Sequence, residues 1–196
     1  NNLAHLFRVD QTLTTKCTLN CTYCNMYMPY YQKQSHLAID NLISDLDTLF
    51  NKIDFISTYH LIGGEPFLYP DIDKIIEHIG ENYRDKIDNL TITTNGTSLP
   101  KDSTLKLLRK YEVYVGLSDY TKSLPRIKNR ANNVINKFKD SGIYLVVKEV
   151  NEWNDFGDLR IQLFKDEKSV IDNFDKCTAQ YRGITNKKFY YCNLSM

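Results

Sequence analysis

The octapeptide Cys17-Thr18-Leu19-Asn20-Cys21-Thr22-Tyr23-Cys24 gathers three of the chain's five cysteines into eight residues. It follows directly on Leu6 to Leu13, a segment that reads as a β-strand, so the thiols fall in a loop at a strand's carboxyl end. A chain of 196 residues, 42% hydrophobic and 25% charged, buries a real core and needs no disulfide staples. The cysteine count is odd, and the crowding argues for metal binding or thiol chemistry rather than a disulfide framework.

Working outward, strands and helices alternate. Ile39, Leu42, Ile43, Leu46 and Leu49 recur at helical spacing over Ile39 to Phe50, and Phe55 to Ile62 reads as a strand. Ile72, Ile75, Ile76 and Ile79 mark a second helix face, and Leu90 to Thr94 a third strand. Leu105, Leu107 and Leu108 belong to a third helix, Val113 to Leu117 to a strand, Val134 to Phe138 to a fourth helix, and Ile143 to Val150 to a fifth strand. Beyond Trp153 the alternation weakens, and Arg182 to Cys192 reads as a hairpin turning at Asn186-Lys187. Such alternation implies right-handed βαβ units around a parallel sheet. A complete eight-fold barrel takes about 250 residues, and this chain has room for five or six units. The expected fold class is therefore α/β, a partial (β/α)6-type TIM barrel over residues 1–160 with a small C-terminal hairpin extension over residues 161–196.

Unusual loops cluster at the carboxyl ends of strands, where parallel α/β proteins bind ligands. Besides the cysteine loop, these are Gly63-Gly64-Glu65-Pro66, Asn95-Gly96 and Ser118-Asp119. Thiolates take soft metals. A closed zinc site wants four ligands, as does a protein-saturated cubane cluster. The loop offers three, and a fourth from Cys177 or Cys192 is distant in sequence. Three cysteines on a cluster leave one iron open, which is what a catalytic metal site needs.

The spacing Cys-x-x-x-Cys-x-aromatic-Cys, with Tyr23 at the aromatic position, resembles the signature loop of the radical S-adenosylmethionine (radical SAM) superfamily. Gly63-Gly64-Glu65-Pro66 resembles that family's GGE motif, and Thr93-Thr94-Asn95-Gly96-Thr97 is similar to its usual segment after the third strand. The likeness runs over roughly residues 6–150. It implies that Cys17, Cys21 and Cys24 ligate three irons of a 4Fe-4S cluster, with S-adenosylmethionine chelating the fourth. The main chain around Gly63 and Gly64 would hydrogen-bond the methionyl amino group, with Glu65 nearby. Pro66 and Asn95 count among the implied cofactor-binding positions. Tyr23 would lie beside the adenine, Ser118 or Asp119 would meet the ribose, and Val146 would wall the adenine. The implied enzyme reduces the sulfonium by one electron, drawn from an external reductant such as flavodoxin or ferredoxin. It releases a 5′-deoxyadenosyl radical that takes hydrogen from a small-molecule or peptide substrate. A mostly apolar barrel interior is expected, to shield that radical. Cys177 and Cys192 flank a segment resembling the start of a SPASM or twitch extension. This implies an auxiliary iron–sulfur cluster, although the further cysteines of that pattern are absent from the sequence.

Two other readings stand beside this one: an iron–sulfur electron-transfer or cluster-carrier module without radical chemistry, and a zinc-stabilised interaction domain. A net charge of +1 gives no bulk footprint for nucleic acid or an anionic membrane. No apolar run reaches the length that spans a bilayer. The chain opens on Asn1-Asn2 with no signal peptide, so a start upstream and a cytoplasmic location are expected. His60 reads as a satisfied core histidine. The tyrosines, Tyr27, Tyr30 and Tyr31 among them, read as packing and surface aromatics, and Lys122 to Arg130 as a solvated face.

Overall fold

The computed structural model describes residues 4–152, 166–176 and 182–192. Five strands alternate with four helices: β1 His5–Thr12, α1 Ile39–Phe50, β2 Phe55–Ile62, α2 Ile72–Asn82, β3 Ile87–Thr94, α3 Asp102–Lys110, β4 Tyr114–Asp119, α4 Lys128–Asp140 and β5 Leu145–Glu149. A helix α5, Glu167–Asp175, and a hairpin of β6 Arg182–Thr185 and β7 Lys188–Tyr190 follow. The helical spacing read in the sequence is the buried stripe of each helix. In α2 it is Ile72, Ile75, Ile76 and Ile79, and in α4 Ala131, Val134 and Phe138.

The strands form one seven-stranded sheet ordered β5-β4-β3-β2-β1-β6-β7. β1 to β5 run parallel in sequence order, so each right-handed crossover lays its helix on the same face. Alternate residues of the strands meet those helices: Val9, Tyr59, Leu61, Leu90, Ile92, Val115 and Leu117 join the helix stripes in one buried core. Tyr59 and Gln11 are polar members of that layer. The Tyr59 hydroxyl donates to Gln11 Oε1 at 2.8 Å, and Gln11 Nε2 donates to the Leu42 carbonyl at 3.0 Å, so burial leaves neither unsatisfied.

Among the described residues the barrel expected over residues 1–160 does not close, and the hairpin expected as a separate extension joins the same sheet. β6 does not join β5; it pairs parallel with the opposite flank of β1, and β7 returns antiparallel beside it. The sheet is therefore open, with β5 and β7 as its edges among the described residues. The hairpin itself is where the sequence put it. Asn186 and Lys187 carry φ of 51° and 60°, the two left-handed residues of a type I′ turn. The backbone N–H of Lys187 donates to Asp45 Oδ1 on α1 at 2.5 Å, which fastens the turn to the core.

A lysine in the left-handed region carries about 1 kcal/mol of steric cost that glycine avoids. Lys187→Gly should raise stability by about 0.5–1 kcal/mol in urea unfolding. An unchanged or lower value would show that the turn is not held in that conformation.

Candidate functional site

The long excursion from β1 to α1 carries the cysteines and is closed at its base. Thr15 N–H donates to the Ser35 carbonyl at 2.9 Å, and Leu37 N–H to the Leu13 carbonyl at 3.1 Å. Above that clamp the chain makes successive turns, with Cys24 N–H to the Cys21 carbonyl at 3.3 Å and Tyr27 N–H to the Cys24 carbonyl at 3.0 Å. The loop after β2 runs directly alongside. Gly64 N–H donates to the Thr14 carbonyl at 2.8 Å, and Glu65 N–H to the Lys16 carbonyl at 2.9 Å. A Cβ at Gly63 would fall 2.5 Å from the Thr14 carbonyl oxygen, and one at Gly64 would overlap the Lys16 carbonyl. The glycine pair thus admits the chain's own backbone, where sequence reasoning gave it the task of admitting a ligand.

Glu65 is fully buried and turns away from the open space. Its Oε1 accepts from Thr94 Oγ1 at 2.8 Å and from Phe67 N–H at 3.2 Å, and its Oε2 accepts from Asn95 N–H at 2.9 Å. Burial pushes this carboxyl up to about 7, against the three donors that pull it down. Pro66 is buried at the start of the single 3-10 turn that follows. Asn95 completes the connection, donating from Nδ2 to Cys17 Sγ at 3.5 Å and to Thr18 Oγ1 at 3.0 Å. One side chain therefore links the third loop to the first.

The three thiols line a cavity of about 800 Å³. Tyr23, Gly63, Gly64, Asn95 and Ser118 line it too, so the structure brings these sequence-predicted positions together. Glu65 and Pro66 lie behind its wall. Asp119 is also outside the lining; its Oδ1 accepts from Thr121 N–H at 2.8 Å, a local turn. Val146 is 52% exposed on β5 and does not line the cavity either. Cys192 is partly buried at the far end of the hairpin, and Cys177 lies outside the described residues.

The cavity face of the sheet is polar, contrary to the apolar interior expected. Arg8, Asp10, His60, Thr93, Ser118 and Lys148 line it from five adjacent strands. Sequence reasoning singled out Ser118, quoted Thr93 within the segment after the third strand, and read His60 as a satisfied core histidine, which its burial and hydrogen bonds match; it did not single out Arg8, Asp10 or Lys148. The signal was there in the period-2 alternation of β1, where Arg8 and Asp10 interleave with Phe7 and Val9. Asp10 would be raised by burial, but hydrogen bonds and charge from His60 and Arg8 outweigh that and hold it low. Burial pushes His60 below its ordinary value, Asp10 opposes this, and Arg8 adds to it. Tyr120 is a further lining residue that sequence reasoning passed over.

The three thiols come from one loop and lie near one another. They stand close enough that Cys17 and Cys24 both raise Cys21, after burial has done most of the work, and its thiol reaches about 11. Burial also raises Cys17, and the Asn95 amide opposes it. A group that binds thiolates must therefore displace protons, and an N–H on a ligating sulfur tunes the potential of an iron–sulfur centre. Among the described residues no three Cys, His, Asp or Glu side chains form a group that would hold a single metal ion. No described helix is long and apolar enough to cross a membrane.

A family model described as the Radical SAM superfamily matches residues 12–143. The GTP 3′,8-cyclase of Erythrobacter litoralis is 32% identical over 88 residues, covering 45% of this chain and 26% of that protein. The GTP 3′,8-cyclase of Trichodesmium erythraeum is 34% identical over 93 residues, covering 46% and 27%. The chain spans about a quarter of the length of the curated relatives it matches. Among solved structures, Streptococcus suis SuiB bound to S-adenosylmethionine aligns with a TM-score of 0.59 at 19% identity, over 92% of this chain and 40% of that one. BtrN in complex with AdoMet and 2-DOIA aligns with a TM-score of 0.57 at 14% identity, over 98% and 75%. These structural likenesses show a shared fold.

Two outcomes test the loop geometry. Gly64→Ala forces the first and second loops apart, and should lower Tm by about 5 °C or more; an unchanged Tm would mean the two backbones do not touch. Glu65 binds a proton more tightly in the folded chain than its ordinary 4.5 allows, because burial holds it at about 7. Its contribution to stability is therefore full below 4.5 and lost as pH rises through 7. Glu65→Gln should flatten the decline of unfolding free energy between about pH 5 and 7.5, and an unaltered slope would assign that decline elsewhere.

Proposed function

Because the chain belongs to the radical SAM superfamily, a family that uses a 4Fe-4S cluster and S-adenosylmethionine, we propose that it is the catalytic core of a radical SAM enzyme. In this reading Cys17, Cys21 and Cys24 hold three irons of the cluster. The β1–β5 arc corresponds to the family's partial barrel, and residues 161–196 to an extension. When bound, the cluster and S-adenosylmethionine would supply the electron and the 5′-deoxyadenosyl radical that abstracts hydrogen. The chain's own residues do the holding. The Gly63 and Gly64 main chain offers polar groups to the methionyl end, with Glu65 and Pro66 fixing that loop from behind. Asn95 tunes Cys17 through its amide. Tyr23, exposed on the cavity, is available to an adenine, and Ser118 to a ribose. Asp119 and Val146 serve as outer cofactor contacts only if β4 and β5 close further on the bound nucleotide. The observation that supports the whole is three thiols of one loop facing a cavity whose next wall is the glycine pair and Asn95.

The substrate is a small molecule or a peptide. The curated relatives are named for a reaction of GTP, but the match covers under half of this chain. SuiB has been solved bound to the precursor peptide SuiA, and BtrN with 2-DOIA. An external one-electron reductant of the flavodoxin or ferredoxin kind would serve the cluster. Cys177 and Cys192 would ligate an auxiliary iron–sulfur cluster. The carrier reading keeps one support, since the glycine pair has a structural task that needs no nucleotide.

Anaerobic reconstitution should give brown protein with about four irons per chain, more if the auxiliary site fills. Dithionite and S-adenosylmethionine should then yield 5′-deoxyadenosine, and replacing Cys17, Cys21 and Cys24 by Ala should abolish both iron and nucleoside. Colourless reconstituted protein would overturn the enzyme reading. A brown protein that fails to bind S-adenosylmethionine in calorimetry would favour the carrier.

A further inference from the structure

A relay of side chains crosses the cavity floor below the thiols. Asp10 and His60 sit two residues inside the ends of β1 and β2, hence about 7 Å beneath the loops. Arg8 Nε donates to Asp10 Oδ1 at 2.7 Å, and Arg8 Nη2 meets His60 Nδ1. Across the ring, His60 Nε2 lies 2.8 Å from Thr93 Oγ1.

Hydrogen-bond inventory sets the direction of this relay. A guanidinium only donates, so the Nδ1 that it faces presents a lone pair. The proton of the neutral ring is then on Nε2, which donates to Thr93. Asp10 Oδ1 lies 3.2 Å from the same Nδ1 and would accept a proton there, so Nδ1 faces both a donor and an acceptor; the Arg8 contact is the nearer, and on that ground the relay runs from Nε2–H to Thr93. A hydroxyl that accepts from His60 still has its own hydrogen to give. Among the described residues nothing accepts it, and Thr93 is exposed on the cavity while Asp10 and His60 are buried behind it. Lys148, on β5, extends the row with an ammonium.

Resting on the radical SAM reading of this cavity, we propose that Thr93 is a specificity-determining donor to an oxygen of the substrate, aligned by the Asp10–Arg8–His60 relay, and that the substrate is a small polyhydroxylated molecule. A row made of donors and hydroxyls matches ring oxygens and vicinal hydroxyls. Leu19, Met26, Ile62 and Val150 line other parts of the cavity, so it is this row that selects for hydroxyls.

Two measurements test this. Long-range nitrogen–proton NMR of the ¹⁵N-histidine-labelled full chain should show His60 as the Nε2–H tautomer, with its signals identified by their loss in His60→Gln. The Nδ1–H tautomer or an imidazolium at neutral pH would reverse the relay and overturn the proposal. Calorimetry on cluster-loaded protein with S-adenosylmethionine uses UDP-glucose and ribose 5-phosphate as probes and the tripeptide Gly-Leu-Phe as a control. At least one sugar probe should bind. Thr93→Val should weaken it about tenfold or more, and Thr93→Ser, which keeps the hydroxyl, should restore it. Neither sugar binding, the tripeptide binding instead, or equal affinity in Thr93→Val would overturn the proposal. S-adenosylmethionine is first titrated alone into the cluster-loaded wild-type protein, before any sugar is added. If it fails to bind, the radical SAM reading itself falls; if it binds while the sugars do not, only the present inference falls.

Discussion

The backbone of Gly63 and Gly64 lies against the backbone of Thr14 to Lys16 with no room for a side chain between them, and the rim of the molecule rests on that contact. Two hydrogen bonds tie the second loop to the base of the cysteine loop. Glu65 extends the connection to the third loop through its carboxylate, and Asn95 returns from that loop to Cys17. Three loops from three adjacent strands thus form a closed circuit before any ligand arrives. Placing a full carboxylate inside it costs desolvation, which three donors offset in part. That arrangement positions a thiol through a chain of contacts whose members have little freedom to move.

The same sheet presents two unlike faces. Toward the helices it is apolar, with Val9, Leu61, Ile92 and Leu117 fully buried. Toward the cavity it is polar, and the polar groups satisfy one another across strands through Arg8, Asp10, His60 and Thr93. Such a network is stable only when complete, because a lone charge at that depth would be expensive. Apolar lining comes instead from Leu19, Met26, Ile62 and Val150 around that polar row.

Much of the architecture was legible from periodicity. α1 and β2 have the bounds that their apolar spacing gave, and the hairpin turns at Asn186-Lys187 where the sequence put it. The three cysteines were legible through their spacing, and the glycine pair through composition. What could not be read was pairing between elements distant in sequence. Nothing local to β6 says that it joins β1 and, among the described residues, leaves β5 as an edge. Nothing local to Glu65 says that its partners are Thr94 and Asn95. The polar face was present as alternation in β1, but a charged residue in a strand reads equally well as solvent-facing until the strands on both sides are known.

The placement of β6 has a mechanical consequence. With β2 on one side and β6 on the other, β1 is an interior strand, and Asp10 sits opposite both His60 and Gly183. The Asp45 carboxylate on α1 fastens the hairpin turn and so secures that flank. The cavity is consequently asymmetric. Its β1–β3 side is buried and cross-linked, and carries the thiols and the relay. Its β4–β5 side is exposed, with Val146 and Lys148 on an edge strand and Glu149 tied to Lys122 by a surface pair at 3.4 Å. Surface pairs of that kind contribute about 0–1 kcal/mol, so little holds this side in place beyond its pairing with β4. The residues of the relay stand on strands that have neighbours on both flanks.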